Sequence, residues 1–234
     1  MLLAALREEV LEANLDLVRR GLVLSTFGNA SGVDRKEGLI VIKPSGVAYE
    51  AMKPGDLVVT DLQGKVMEGT LRPSSDLPTH AALYRAFPSI GGIAHTHSEY
   101  ATAWAQARRA IPCFGTTHAD YFHGPIPVTE VMAEDEIVGE YEANTGAAII
   151  RTFESLDAMS IPAVLVANHA PFAWGYGPRK AAETAWMLES VARIAYLTVS
   201  INPHASGIAK TLHDRHFLRK HGEKAYYGQM RAKE

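Results

Sequence analysis

Three histidines, His95, His97 and His169, each follow a short apolar run. His95 and His97 lie two residues apart at the end of a predicted strand, so their side chains point to the same face. His169 comes just after another apolar run, which allows strand ends from distant parts of the chain to meet. Three imidazoles with an open fourth position are typical of a catalytic zinc site. The alternative for the His95 and His97 pair is hydrogen bonding to the backbone or to solvent.

Asp76 ends the motif Ser74-Ser75-Asp76, which precedes an apolar pattern of helical period. A carboxylate there has three possible roles: a fourth metal ligand, a base beside the metal, or the N-cap of the helix. The two serines suit an anion site, because hydroxyls and free N–H groups at a helix N-terminus attract negative charge.

Two further polar turns follow or precede apolar runs. They are Lys43 with Ser45-Gly46, and Gly28-Asn29. Lys43 offers a cation, and the glycines allow the backbone to approach a ligand closely. Together with Ser74 and Ser75, these turns predict a phosphorylated ligand near the metal.

Apolar spacing predicts the elements that position these residues. Helical periodicity covers residues 2–18, 77–87, 99–108, 134–154 and 178–199. Runs between turn residues predict strands at 39–42, 57–60, 65–67, 90–97, 163–167 and 172–174, with a hairpin turn at 61–64 and an irregular stretch at 111–129. The early connections are too short for parallel crossovers, so we expect one α/β domain over residues 1–234, with a mainly antiparallel sheet covered by helices.

Composition narrows the class of protein. Lys and Arg number 23 against 26 Asp and Glu, a net charge of -3, which disfavours nucleic acid as a partner. No apolar run reaches the roughly 20 residues of a membrane span. The one cysteine, Cys113, can form neither an internal disulfide nor a cysteine-rich zinc site, so we expect a cytoplasmic protein.

The C-terminal segment is basic and aromatic. It contains His213, His216, Arg219, Lys220 and His221, followed by the sequence Ala-Tyr-Tyr-Gly at 225–228. One interpretation is a solvated terminal helix. The other is that the segment packs against a neighbouring subunit.

Motifs along nearly the whole chain together resemble the class II aldolase family. They are Gly28-Asn29-Ala30-Ser31, Lys43-Pro44-Ser45-Gly46, Pro73-Ser74-Ser75-Asp76, His95-Thr96-His97-Ser98, Gly-Thr-Thr-His-Ala-Asp-Tyr at 115–121 and His-Ala-Pro-Phe-Ala-Trp-Gly at 169–175. The sequences Leu-Arg-Lys-His-Gly at 218–222 and Lys-Ala-Tyr-Tyr-Gly-Gln at 224–229 resemble more narrowly its L-ribulose-5-phosphate 4-epimerase branch.

The resemblance implies a three-layer α/β/α fold and a zinc-dependent, cytoplasmic homotetramer with active sites at subunit contacts. The tail from about residue 205 to 234 would contribute to a neighbour's site. By motif position, the implied metal ligands are His95, His97 and His169, with Asp76 on or near the metal. The implied substrate contacts are Gly28, Asn29, Lys43, Ser45, Gly46, Ser74 and Ser75. The implied acid/base pair is Asp120 and, from the adjacent subunit, Tyr227, with Thr116, His216 and Arg219 in support.

The implied activity is the interconversion of L-ribulose 5-phosphate and D-xylulose 5-phosphate by retro-aldol cleavage and re-addition at C3–C4. Related epimerases act in arabinose, ascorbate and xylulose use, and the sequence leaves this choice open. One rival is an aldolase that cleaves a ketose phosphate and releases the aldehyde. Such aldolases are expected to carry a glutamate where this chain has Asp76, and to lack the 224–229 tail. The other rival is a non-catalytic binding protein like the adducins, which has no need of zinc ligands.

Overall fold

The computed structural model describes residues 1–222 and 225–227 of the chain. The strands are β1 (Asn29–Asp34), β2 (Leu39–Ile42), β3 (Val58–Asp61), β4 (Val66–Glu68), β5 (Gly92–His95), β6 (Ala163–Leu165) and β7 (Pro171–Gly175). The helices are α1 (Ala4–Arg19), α2 (Leu77–Ala86), α3 (Glu99–Gln106), α4 (Thr116–Ala119), α5 (Glu134–Val138), α6 (Tyr141–Thr152), α7 (Pro178–Ile201) and α8 (Lys210–His221). Of the tail motif, Lys224, Gly228 and Gln229 lie outside the described residues.

The strands form one seven-stranded sheet in the order β4-β3-β2-β1-β5-β7-β6. Every neighbouring pair is antiparallel. The short connections made this arrangement predictable, since a two- to five-residue turn returns the chain antiparallel. The hairpin predicted between the third and fourth strands is β3–β4.

Helices cover both faces of the sheet, so the predicted α/β fold with three layers is confirmed. On one face, small strand residues such as Ala94 and Ala173 pack against α1, α3 and α7. On the other face, their strand neighbours Ile93 and Trp174 pack against α2 and the region of α6. This alternation buries both faces of the central strands, because successive side chains point to opposite sides. Within the described residues, no helix is both long and apolar enough to span a membrane.

Three predictions of secondary structure were wrong. The helix expected at 134–154 is two helices, α5 and α6, separated at Gly139, which does not have helical dihedral angles. The irregular stretch at 111–129 contains the short helix α4. Strand β1 was missed, since its sequence Asn-Ala-Ser-Gly-Val-Asp lacks the alternating apolar residues by which a strand is recognised.

The pairing of β1, β5 and β7 builds one end of the sheet. Asn29 pairs with His95, and His95 pairs with Phe172. Directly paired residues in antiparallel strands share a face, so these three side chains form a row on the side that α2 covers. The row places His95 between an amide and an aromatic ring.

Candidate functional site

His95, His97 and His169 converge at this end of the sheet. One ring nitrogen from each lies within 4.8 Å of the others. The ring centroids are 5.0 Å apart for His95 and His97, 5.0 Å for His95 and His169, and 5.1 Å for His97 and His169. Strand ends that are separated by more than 70 residues in the chain are therefore brought to one point.

His95 is fixed by two contacts. Its Nδ1 lies 2.9 Å from the carbonyl oxygen of Pro171, and its ring stacks on that of Phe172 at 4.2 Å. A carbonyl can only accept a hydrogen bond, so Nδ1 carries a proton, and Nε2 is the nitrogen that can offer a lone pair to a metal. A backbone carbonyl that fixes the tautomer in this way is a usual partner of a metal-binding histidine.

His97 lies in the short connection between β5 and α3. The first turn of α3 is held by Glu189 of α7, whose carboxylate accepts the backbone N–H groups of Tyr100 at 2.8 Å and Ala101 at 2.9 Å. A carboxylate at a helix N-terminus stabilises that end of the helix. Helix α7 thereby anchors the segment that carries His97.

His169 lies in the turn between β6 and β7. The preceding residue, Asn168, has φ of 61°, and its N–H donates to Ala105 of α3 at 3.0 Å. The N–H of His169 itself donates to Val166 at 3.0 Å. This tight turn aims His169 back toward the end of β5.

The three imidazoles suit a divalent metal. The Nδ1 atom of His169 is buried without a hydrogen-bond partner among the described residues, which leaves the tautomer of this ring free. Burial, reinforced by His95 and His97, lowers the pKa of His169 to about 4, and burial also lowers the pKa of His97. His97 and His169 are therefore neutral at pH 7, the form in which imidazole binds metal.

Asp76 lines the same cavity as the histidine triad, but its carboxylate is not one of the closely spaced potential metal ligands. It occupies the N-cap position of α2 without making a side-chain capping bond, so its interpretation as a simple N-cap was wrong. Its Oδ2 instead accepts the Nδ2–H of Asn29 at 2.7 Å. Burial opposes the ionised form, but His95, His80 and the Asn29 hydrogen bond favour it, and the pKa of Asp76 is below its ordinary value. The carboxylate is ionised and points into the same end of the site.

A cavity of about 450 Å³ connects the triad with the predicted anion site. Its lining contains Asp76, the three histidines and every residue predicted to contact substrate. These are Gly28, Asn29, Lys43, Ser45, Gly46, Ser74 and Ser75. These residues come from five separate stretches of the chain and surround one space.

Lys43 is the cation of this cavity. Only 2% of it is exposed, and its ammonium donates to the carbonyl of Val47 at 2.9 Å and lies 4.6 Å from the ring centre of Tyr49. Among the described residues it forms no salt bridge with a carboxylate, and burial lowers its pKa. A buried ammonium without a counter-charge favours a bound anion.

Gly28 is needed where β1 enters the site. Its φ is 93°, and a Cβ atom would lie 2.9 Å from the carbonyl oxygen of His95. Both the dihedral angle and the close approach exclude a side chain. The glycine therefore lets Asn29 pair beside His95.

The sequence analysis missed four residues that line the cavity: Thr26, Phe27, Tyr141 and Glu142. Tyr141 lies 6.1 Å from His169 between ring centres, and burial raises its pKa. Tyr141 and Glu142 begin α6. The signal in the sequence that could have found them is Gly139, where the helix predicted at 134–154 breaks.

The predicted acid/base residues form a second cluster. Asp120 accepts two hydrogen bonds from Nη2 of Arg219, at 2.8 and 3.0 Å, and lies 3.0 Å from Nδ1 of His216. Burial would raise the pKa of Asp120, but Arg219 and His216 bring it below its ordinary value. Thr116 opens the short helix α4, and its carbonyl accepts the N–H of Asp120 at 2.9 Å.

Tyr227 belongs to the same cluster. The Arg219 guanidinium lies 4.5 Å from the Tyr227 ring centre, and the Lys220 ammonium lies 4.8 Å from it. The N–H of Tyr227 donates to the Arg219 carbonyl at 3.1 Å, while 57% of the residue stays exposed. Neither Tyr227 nor Asp120 is among the described residues that line the cavity of about 450 Å³ beside the histidine triad.

Comparison with known proteins identifies the family. The model of the class II aldolase and adducin N-terminal domain matches residues 8–196. The chain belongs to this family. The resemblance inferred from the motifs is thereby confirmed, and the fold described above is that of a class II aldolase.

Named relatives narrow the comparison within the class II aldolase family. Proteins from Salmonella paratyphi B and Salmonella paratyphi A, both described as L-ribulose-5-phosphate 4-epimerase UlaF, are each 54% identical to this chain over 224 residues. The match covers 96% of this chain and 98% of each relative. A solved structure of L-fuculose 1-phosphate aldolase matches with a TM-score of 0.77 at 27% identity, covering 91% of this chain and 94% of the other.

Proposed function

We propose that this class II aldolase-family protein is a zinc-dependent epimerase that interconverts L-ribulose 5-phosphate and D-xylulose 5-phosphate. The observation that carries the proposal is the histidine triad at one end of a cavity whose other wall holds the buried cation Lys43. The 54% identity to relatives described as L-ribulose-5-phosphate 4-epimerase supports the choice of substrate.

Epimerisation at C4 needs a carbon–carbon cleavage. The C4 hydrogen is not adjacent to the C2 carbonyl, so simple proton abstraction there would give no stabilised anion. Breaking C3–C4 instead yields two fragments, glycolaldehyde phosphate and the enediolate of dihydroxyacetone. The aldehyde turns its other face and recombines, which inverts C4.

His95, His97 and His169 would hold the metal, with Asp76 on it or beside it. A zinc ion bound there supplies positive charge that stabilises the negative charge developing on substrate oxygens during cleavage. Neutral imidazoles leave most of that charge available. Asn29 orients the Asp76 carboxylate next to the substrate.

The phosphate would bind at the other end of the cavity. Lys43, Ser74 and Ser75 supply a cation, hydroxyls and N–H groups near the start of α2, and Ser45 and Gly46 allow close backbone approach. Such a helix start attracts phosphate through its free N–H groups and its dipole. Holding the phosphate keeps glycolaldehyde phosphate in place while it turns.

Proton transfer falls to Asp120 and Tyr227. Arg219 and His216 keep Asp120 ionised and oriented, so it can accept the proton of the C4 hydroxyl. Tyr227 packs against the Arg219 guanidinium and can donate a proton to the new C4 alkoxide. Two proton-transfer groups are needed, one for each face of the aldehyde.

Assembly would join the two clusters. Because Arg219 contacts both Asp120 and Tyr227 of one chain, a neighbour that delivers Tyr227 also delivers its own Asp120. This differs from the expectation that only Tyr227 crosses the subunit contact. The proposed form is a cytoplasmic homotetramer, in which Asp120 and the tail from about residue 205 complete a neighbouring site.

The second candidate is an aldolase that releases its aldehyde. It is favoured by the structural similarity to L-fuculose 1-phosphate aldolase, and cleavage is half of the epimerase reaction. The two are separated by incubating the zinc-loaded protein with L-ribulose 5-phosphate and identifying products by NMR. The proposal expects D-xylulose 5-phosphate; free dihydroxyacetone and glycolaldehyde phosphate as main products would favour the aldolase.

A His97→Asn variant is the matched control for that experiment. It should form neither set of products. Purified wild-type protein that holds no zinc and converts nothing would instead favour a non-catalytic, adducin-like role.

A further inference from the structure

A buried histidine that the proposed reaction does not use lies directly behind Asp76. His80 is fully buried in α2, four residues after Asp76, and its N–H donates to the Asp76 carbonyl at 3.0 Å. Side chains four residues apart on a helix lie on the same face. The His80 ring also meets Phe172 edge-on at 6.0 Å, and Phe172 stacks on His95.

Strand β1 holds Asp76 and His80 with matched side chains. Asn29 donates to Asp76 at 2.7 Å. Two residues along the same face of the strand, the Ser31 hydroxyl lies 2.7 Å from Nδ1 of His80 and 2.8 Å from the Tyr84 hydroxyl. Asn29 of β1 therefore binds Asp76 just before α2, and Ser31 binds two polar residues of α2.

The direction of these hydrogen bonds fixes the His80 tautomer. Tyr84 is fully buried, and burial raises its pKa above the ordinary value, so its hydroxyl keeps a proton that needs an acceptor. Ser31 is the partner within reach of that hydroxyl. Tyr84 then donates to Ser31, Ser31 donates to Nδ1 of His80, and the His80 proton lies on Nε2.

Nε2 of His80 is buried without a hydrogen-bond partner among the described residues. The nearby Asp76 carboxylate uses Oδ2 for Asn29 and Ser74, which leaves Oδ1 able to accept a further bond. A buried donor and an ionised acceptor on one helix face are complementary.

We propose that His80 is a positioning residue, whose Nε2–H donates to the Asp76 carboxylate and holds it toward the histidine triad when the metal is bound. The inference rests on the proposed function only in placing zinc at the triad. Partners of this kind behind a metal site typically change metal affinity by about 10- to 100-fold.

Zinc dissociation constants of the full chain, measured by competition with a chelator, test this role. His80→Asn removes the donor at the Nε2 position and should weaken zinc binding about tenfold or more, whereas His80→Gln, whose amide reaches that position, should stay within about threefold of wild type. Tyr84→Phe is the matched control: it disturbs the same network and lowers stability, yet Ser31 can still donate to His80, so zinc affinity should not change. In an Asp76→Ala background, His80→Asn should have no further effect.

The inference is overturned if His80→Asn binds zinc as tightly as wild type. It is also overturned if His80→Asn, His80→Gln and Tyr84→Phe all lose zinc affinity to the same extent, as a merely structural role would require. Should His80→Asn not fold, Ser31→Ala takes its place, because it frees Nδ1 and allows the other tautomer. It should bind zinc more weakly than Tyr84→Phe, and equal affinities would overturn the inference.

The same measurements separate this inference from the proposed function. Wild-type protein that binds zinc but does not epimerise would contradict the proposed function and leave the His80 comparison valid. Normal zinc binding and turnover in wild type, with unchanged affinity in His80→Asn, would contradict the role of His80 alone. Wild-type protein that binds no zinc would contradict both.

Discussion

The Nδ2 atom of Asn29 donates a 2.7 Å hydrogen bond to Oδ2 of Asp76, and it also lies 3.1 Å from the Ser74 hydroxyl. Asn29 itself pairs with His95 across β1 and β5. The side-chain amide of Asn29 thus links the end of the cavity that holds the histidine triad with the residues just before α2. This contact is one of the interactions that offset burial and hold the pKa of Asp76 below its ordinary value.

Replacing Asn29 by Asp should disable the site. The isosteric change places a second carboxylate against Asp76, and two like charges at this distance raise the pKa of one of them. We expect turnover to fall by about tenfold or more, since one such displaced hydrogen bond costs about 1.5–3 kcal/mol. Steady-state kinetics across pH measure the effect. Asn202→Asp, the same change at an exposed helix end, is the control, and equal rates in the two variants would contradict the role of Asn29.

Replacing His97 by Asn should remove zinc. Two imidazoles remain, and an amide is a weaker ligand for this metal than imidazole. Elemental analysis of purified protein measures the metal content. His204→Asn, at an exposed histidine, should keep the wild-type content. Full zinc occupancy in His97→Asn would rule out His97 as a ligand.

Replacing Tyr227 by Phe should separate chemistry from metal binding. The phenol lies against Arg219, away from the triad, so zinc content should not change. Loss of a general acid typically lowers the rate by about 10²- to 10⁴-fold. The neighbouring Tyr226→Phe should retain activity. Unchanged turnover in Tyr227→Phe would remove this residue from the mechanism.

His118 should make stability depend on pH. Its Nε2–H donates to the Gly124 carbonyl at 2.7 Å, and burial, the largest effect, lowers its pKa to about 4. The unfolded chain, with a pKa near 6.5, binds a proton that the folded chain does not, so this contribution is complete above about pH 6.5 and is lost as the pH falls toward about 4.

Urea unfolding of the metal-free protein, carried out at a fixed protein concentration and at several pH values, measures how the free energy of unfolding depends on pH. Between about pH 7.5 and pH 5, His118 should account for a loss of about 2 kcal/mol. His118→Gln keeps a donor for Gly124 without a titrating group, so its loss should be smaller by that amount. Identical losses in the two proteins would show that His118 is not held neutral.

Local pattern was enough to predict most of the sheet and the meeting of the histidines. His95 ends β5 and His169 follows β6, both of which have plain apolar runs, and antiparallel pairing brings these strand ends together. His97 was predicted within the strand 90–97 but lies beyond the end of β5. Strand β1 could not be predicted in this way, because Asn29 and Ser31 face α2 and make polar contacts with it. Tyr141 and Glu142 were missed for a related reason, since only the break at Gly139 turns the start of α6 toward the cavity. Contacts between distant segments, such as Ser31 with His80, leave no mark on local spacing.

The central claim is that C3–C4 is cleaved beside the histidine triad. The most direct test is to convert L-ribulose 5-phosphate with the zinc-loaded protein in D₂O and to analyse the product by NMR. Cleavage and re-addition never break the C4–H bond, so the account predicts D-xylulose 5-phosphate that keeps its original hydrogen at C4. Deuterium at C4 of the product, or no conversion by protein that holds zinc, would contradict it.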